Sequence, residues 1–439
     1  MLDRVVGVAL QIALVPILAS TWGLERYGVW GMLIAFPGIL ILSDLGFTTA
    51  ATVRMTMQIA RGDLAAARIT IHSASQVVLA AGALLLGAGW AAAAFLPDRL
   101  FQALSLIDPT EVRGAILCLS AYSALIIGHG LLQAVFRSNQ RFAFGSLVST
   151  ATLLLENALL VAAVSTGGSI LLGAGALLVG RTSGTIIAIA AAARLCSGPF
   201  PGLRMADRQA CRELLGPALA AMAIPLGLTL IGQGQVIVLA IAAGAMAVPA
   251  FVASRTLSRL ALQLAQALAH PLMPEFASAV ARHNRLASVR YFALVLAGSG
   301  ALSLGWAILL AVAGPWIITA WSGGHIAVPS QLMLIMAVSA LAGGIWNPVS
   351  NLILAVNEHA RFAPALLGLA LAGLLLTLAT GACWGSSAAA LSMAAIDLVM
   401  VAIVLRFALS RWGSPTELLR ILVAMASQAK QEATQQLRD

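Results

Sequence analysis

The chain has 439 residues, of which 60% are hydrophobic and 9% charged, with a formal net charge of +9 and a mean hydropathy of +0.96. A water-soluble domain carries about 25% charged residues and needs polar cover over its surface, so a soluble enzyme, a disordered chain and a disulfide-rich secreted module are excluded. At roughly 20 residues per spanning helix the apolar content suffices for about a dozen spans, and nearly the whole chain reads as membrane domain.

In chain order, apolar windows place spans at 5–21, 29–51, 74–96, 114–135, 143–165, 169–193, 215–243, 249–271, 291–313, 330–355, 363–383 and 389–409. Before the first, Met1-Leu2-Asp3-Arg4 has no net charge, so that segment reads as a span rather than a cleaved signal. The second span contains Asp44 near its end, with Arg54 beyond it. Asp108-Pro109-Thr110-Glu111 caps the fourth span, which carries His129, read as a packed polar residue. The fifth and sixth carry Glu156 and Arg181 near mid-span, and a Pro/Gly/Arg-rich linker, 194–213, follows. Pro225, Gln233 and Gln235 interrupt the seventh span. The eighth holds Arg255 and Arg259, one helical turn apart on a shared face. Asn347, Pro348 and Asn351 interrupt the tenth, and Asp397 lies within the twelfth. Ser414-Pro415-Thr416-Glu417 opens an amphipathic tail, 416–429, expected to lie along the cytoplasmic interface. The cysteines, Cys118, Cys196, Cys211 and Cys383, show no metal-ligand or redox spacing.

An even number of spans puts both termini on one side. With that side cytoplasmic, the inside segments hold 19 of the 25 Arg/Lys residues and the outside loops only Arg26, Arg99 and Arg113. That bias fixes the orientation and explains the net charge without nucleic acid. Trp22, Trp30, Trp90, Trp316, Trp321 and Trp384 fall near the outer interface, where tryptophan is enriched. No loop is long enough for an external catalytic domain.

Two stretches repeat at an offset of about 221: Gly23 to Gly28 with Ala60 to Arg68, and Gly244 to Pro249 with Ala281 to Arg290. An offset of six spans preserves orientation, which predicts two parallel six-helix halves around a central cavity, as in transporters. The expected division is 1–193 and 214–410 for the halves, 194–213 for the linker and 411–439 for the cytoplasmic tail. The first span is shorter than the seventh before its glycine, which suggests a natural start further upstream.

Ionisable groups within spans are costly and mark function by default. Two readings stand. Glu156 with Arg181, and Asp397 with Arg255 or Arg259, form ion pairs that hold helices together. Alternatively, Arg54, Arg181, Arg255 and Arg259 line a cavity and receive an anionic substrate, because guanidinium is always charged and grips phosphate in a fork. Asp44, Glu156 and Asp397 then exchange a coupling proton or sodium ion, and Gln233, Gln235, Asn347 and Asn351 are candidate polar lining.

Gly23-Leu24-Glu25-Arg26-Tyr27-Gly28-Val29-Trp30, then Ser43-Asp44-Leu45-Gly46-Phe47 and Arg61-Gly62-Asp63, resembles the N-terminal signature of polysaccharide flippases. These are the O-antigen and exopolysaccharide repeat-unit translocases of the multidrug/oligosaccharidyl-lipid/polysaccharide exporter superfamily. The motif covers about the first seventy residues. The resemblance implies an all-α inner-membrane protein that flips an undecaprenyl-pyrophosphate-linked oligosaccharide by alternating access, beside a polymerase and chain-length machinery, among membrane lipids and without a cofactor. It carries Arg181, Arg255 and Arg259 over as cavity candidates by location only. The short first span departs from the pattern, and twelve rather than fourteen spans weighs against the lipid II flippase branch. The alternatives are a cation-coupled multidrug antiporter of the same superfamily, for which a more acidic cavity is expected, and a membrane-embedded polymerase or ligase, which needs a longer external loop.

Overall fold

A backbone inside a bilayer has no water to bond and must satisfy its own amides, which confines a chain this apolar to helices or a closed barrel. The computed structural model describes residues 2–40, 46–95, 107–196, 198–413, 416–418, 420, 423 and 427, and among the described residues there is no strand. The helices are α1 (Leu2–Leu40), α2 (Phe47–Ala60), α3 (Leu64–Phe95), α4 (Pro109–Ser138), α5 (Phe142–Ser165), α6 (Ile170–Leu195) and α7 (Arg208–Thr229). A π-helical turn, Leu230–Gly234, leads into α8 (Gln235–Ala243). Then come α9 (Val248–Ala269), α10 (Leu272–Ala281), α11 (Arg285–Trp321), α12 (Ser330–Ala355), α13 (Ala363–Trp384) and α14 (Ser386–Trp412).

Nine of the described helical stretches are long and apolar enough to cross a membrane, and they coincide with nine of the twelve expected spans. The other three also fall on helix. The first and second occupy α1, the second continuing past 41–45, outside the described residues, into α2. The eighth is α9, whose Arg255, Arg259, Gln263 and Gln266 lower its hydropathy. Of the expected amphipathic tail, only Thr416–Leu418, Arg420, Val423 and Ser427 are among the described residues, all helical.

The chain separates into two compact units. One comprises the described residues up to Pro249 with Trp321–Ile326 and Leu378–Gly385; the other takes Ala250–Ala320, Ala327–Thr377 and the residues from Ser386 onward. In the first unit, Gly28 lies against the Ala245 carbonyl and Gly31 against Val248, contacts too close for any added Cβ. In the second unit, Trp412 gathers Phe276, Phe292 and Phe407 around its ring.

The sequence repeat reappears as backbone conformation. Gly23 breaks α1 at φ 73, ψ 171, and Gly244 ends α8 at φ 84, ψ 163, a region open essentially to glycine alone. After α2, Arg61, Gly62 and Asp63 donate their N–H groups to Met57, Ile59 and Gln58; after α10, Arg282, His283 and Asn284 donate to Ser278, Val280 and Ala279. The middle residue is left-handed in both, Gly62 at φ 79 and His283 at φ 54. Each next residue caps the following helix: Asp63 Oδ1 accepts from the Ala66 N–H at 2.9 Å and Asn284 Oδ1 from the Ala287 N–H at 3.1 Å. Gln140 (φ 58) and Asn357 (φ 61) mark a third matching turn. At α4, Asp108 Oδ1 accepts from the Thr110 N–H at 2.9 Å, with Pro109 in the first turn, and these Thr110 hydrogen bonds hold the Asp108 carboxyl below its usual pKa.

Candidate functional site

In the first unit, small residues set the spacing between α5 and α6. A Cβ added to Gly180 would lie 2.5 Å from the Glu156 Cα, and one added to Gly184 would lie 2.2 Å from the Thr152 Cγ2. Glycines four residues apart thus let the α6 backbone lie on α5, a close approach typical of membrane helices. Arg181, next to Gly180, therefore reaches Glu156. Glu156 Oε1 accepts from Arg181 Nη2 at 2.8 Å and from the Tyr122 hydroxyl of α4 at 3.1 Å. The guanidinium also lies over the Tyr122 ring, 5.4 Å from its centroid. Glu156 is 1% exposed. Its Oε2 and the Arg181 Nε have no hydrogen-bond partner among the described residues.

Two turns further along α4, and two turns back along α5, lies a second polar layer. The His129 ring nitrogens approach Ser149 Oγ at 3.4 Å, Gln133 Nε2 at 3.3 Å and Thr185 Oγ1 at 3.5 Å. His129 is buried and packed among neutral polar partners.

Arg54 sits elsewhere in the same unit. Its Nη2 donates to Glu213 Oε2 at 2.6 Å, and both side chains are partly exposed. With Val53, Met57, Gln58, Arg61 and Leu214 the pair borders a cavity of about 570 Å³. Hydrogen bonds from Arg54 and Gln209 hold the Glu213 carboxyl below its usual pKa. Asp44, expected near Arg54, lies outside the described residues. Gln235 is fully buried. Gln233, in the π-helical turn, packs its Cγ where a Gly38 side chain would be. Such π-turns shift the register of the residues that follow and recur at functional sites.

In the second unit, the expectation of a direct ion pair at Asp397 is not met. Asp397 Oδ2 accepts from Ser339 Oγ at 2.6 Å, and Oδ1 accepts from Trp346 Nε1 at 2.9 Å, both on α12. A Cβ added to Gly343, between those donors, would lie 3.5 Å from the carboxyl group. Ser339 and Trp346 are seven residues apart and share one helix face, so the neutral donors occupy the carboxylate. Arg259 remains near enough to interact with Asp397 electrostatically, yet it makes no salt bridge among the described residues, and its Nε is buried without a hydrogen-bond partner there. Arg255, one turn earlier and 6% exposed, lies over the Phe251 ring at 5.5 Å. Ser258 Oγ donates to the Met336 carbonyl at 3.1 Å, which pins α9 to α12.

Around Pro348, which withholds an N–H from the α12 ladder, Asn347 Nδ2 donates to the Gly343 carbonyl at 3.1 Å and Ser350 Oγ to the Asn347 carbonyl at 2.7 Å. Asn347 is thus spent on its own helix. Asn351 Nδ2 is buried without a partner among the described residues.

Charge alone does not point to Tyr122, Ser339 and Trp346, the neutral donors that fix both acids. Their signals were present. The chain has only three tyrosines, and Tyr122 is mid-span; Trp346 sits well away from the interfacial tryptophans.

No family model matches the chain, and no curated protein matches its sequence. Solved structures do match. An inward-facing multidrug-resistance MATE transporter of the MOP superfamily is 14% identical with a TM-score of 0.75, over 92% of this chain and 94% of that one. Lipid II flippase MurJ in an inward closed conformation is 15% identical with a TM-score of 0.70, over 96% and 88%. A MOP superfamily transporter from Pyrococcus furiosus is 13% identical with a TM-score of 0.56, over 92% and 95%. The fold is that of the MOP superfamily transporters. The first and third of these proteins are transporters and the second is a flippase. MATE and MurJ match nearly equally well, so the MOP fold alone does not choose between a drug and a lipid-linked substrate.

Proposed function

We propose that the chain translocates an undecaprenyl-pyrophosphate-linked oligosaccharide across a bacterial inner membrane by alternating access, for surface polysaccharide assembly. Both termini are then cytoplasmic, residues 1–193 and 214–410 are the transporting halves, and 411–439 is the tail. The observation that carries this reading is Arg259. Its guanidinium has no carboxylate in salt-bridge contact among the described residues, and Asp397, the acid that acts on it electrostatically, is already held by Ser339 and Trp346. A buried cation with no carboxylate in contact is costly, and a phosphate oxygen offsets that cost.

Arg255 and Arg259 receive the pyrophosphate. Glu156 takes up the coupling proton, which releases Arg181, and a sodium ion is the other coupling candidate. A polymerase and chain-length machinery act on the product. Replacing Arg255 and Arg259 together by Ala is expected to abolish glycan export while membrane insertion and melting temperature stay near wild type. Normal surface polysaccharide in that strain would overturn the reading.

A cation-coupled multidrug antiporter is the second reading, favoured by the uncommitted Oε2 of buried Glu156. It predicts that Glu156→Gln abolishes tolerance to cationic drugs, whereas the arginine variants leave tolerance intact.

A further inference from the structure

Helix α9 departs from an ordinary membrane helix. At 3.6 residues per turn, Arg255, Arg259, Gln263 and Gln266 fall within an arc of about 80° and extend over roughly 16 Å of helix, and His270 follows just past the end of α9. A polar stripe of that length is not tolerated against lipid tails. Its chemistry changes along the way: two guanidinium groups come first, then two amides, then an imidazole. His270 Nδ1–H donates back to the Gln266 carbonyl, so the ring folds onto the stripe's end.

The two central groups make complementary demands. Arg259 Nε is a buried donor and Gln263 Oε1 a buried acceptor, and neither has a hydrogen-bond partner among the described residues. A buried polar atom left unmatched costs about 1–3 kcal/mol, and in a native structure such an atom points to a ligand or to water. They lie one turn apart on one face. A simple anion satisfies the arginine and leaves Gln263 unmet; a lipophilic cation satisfies neither. A phosphate ester that continues into a hydroxyl-bearing chain satisfies both. Its phosphoryl oxygen accepts from Arg259, and a sugar hydroxyl donates to Gln263.

Resting on the flippase reading, we infer that Gln263 is the carbohydrate-reading residue of the site, with Gln266 the next amide along the same stripe. The arginines hold the pyrophosphate, and the first sugar lies about one helical turn further toward the C-terminal end of α9. The stripe therefore distinguishes a glycosylated carrier from the bare carrier lipid, a discrimination the arginines alone cannot make.

The test uses the full chain in nanodiscs and two probes, undecaprenyl pyrophosphate and the same lipid carrying an oligosaccharide. Gln263→Leu is expected to weaken binding of the glycosylated probe roughly five- to tenfold, the loss of one buried hydrogen bond, and to leave the bare probe unchanged. Arg259→Ala weakens both. Gln263→Met, which keeps the side-chain length, gives the same pattern and guards against misfolding in the leucine variant. Equal weakening of both probes by the Gln263 variants, or of neither, overturns the inference while the flippase reading stands. Failure of the wild type to bind either lipid, together with tight binding of a lipophilic cation such as tetraphenylphosphonium, overturns both.

Discussion

Among the described residues each unit buries one carboxylate, and in each an aromatic side chain from a neighbouring helix holds it: Tyr122 for Glu156 and Trp346 for Asp397. The two differ in their cation. Arg181 touches Glu156, whereas Arg259 only influences Asp397 from a distance. Removing half of a buried pair strands a charge, at about 3–5 kcal/mol. Arg181→Ala is therefore expected to lower stability by that amount, the double change Glu156→Gln with Arg181→Met by much less, and Tyr122→Phe by about 1 kcal/mol. A double-mutant cycle of thermal unfolding in detergent measures the coupling. The exposed pair behaves differently. Because Arg54 and Gln209 depress the Glu213 carboxyl, its stabilising contact is complete above the unfolded-state pKa of a carboxylate and is lost as pH falls through the lower folded value. Amide exchange in α2 and the start of α7 is expected to quicken over that acid range and in high salt, and Glu213→Gln removes the pH step.

At the scale of the helix, glycine geometry decides where chains turn and how closely they pack. Gly23 and Gly244 occupy equivalent breaks with no atom within 4 Å of an added Cβ, so substitution there is opposed by backbone strain alone. Gly23→Ala and Gly244→Ala should each cost about 1–3 kcal/mol, read as a lowered melting temperature. A null effect at both would mean that neither break depends on glycine. Gly180 is the opposite case, since its neighbour is the Glu156 backbone at 2.5 Å. Gly180→Val forces α6 off α5 at about 1–3 kcal/mol of overpacking and pulls Arg181 from Glu156. The pH dependence of transport is then expected to change along with stability.

For the whole molecule, sorting the charges by topology turns the +9 into a statement about orientation. The expected cytoplasmic segments carry 19 of the 25 Arg/Lys residues, and the three span arginines are matched by three span acids. In a background lacking the four native cysteines, His325→Cys is expected to react with an impermeant thiol reagent in intact cells and Asn284→Cys only after permeabilisation. The reverse pattern would invert the orientation.

Hydropathy and the repeat made much of this architecture legible in the sequence, because each rests on local composition: an apolar run of sufficient length has nowhere to go but a spanning helix. The same holds for the Asp108 cap and for the glycine breaks, whose conformations follow from residue type. Which groups satisfy a buried charge does not follow from composition. Glu156 and Arg181 meet because Gly180 and Gly184 bring α6 onto α5. Asp397, which reads equally well as the partner of Arg259, is instead satisfied by Ser339 and Trp346. Neutral hydroxyl and indole donors carry no charge signal in one dimension, and their reach depends on which helix faces pack together. The sequence alone determined the class of molecule and its most expensive residues; the tertiary structure decided that Arg181 engages Glu156 and that Arg259 has no carboxylate in salt-bridge contact among the described residues.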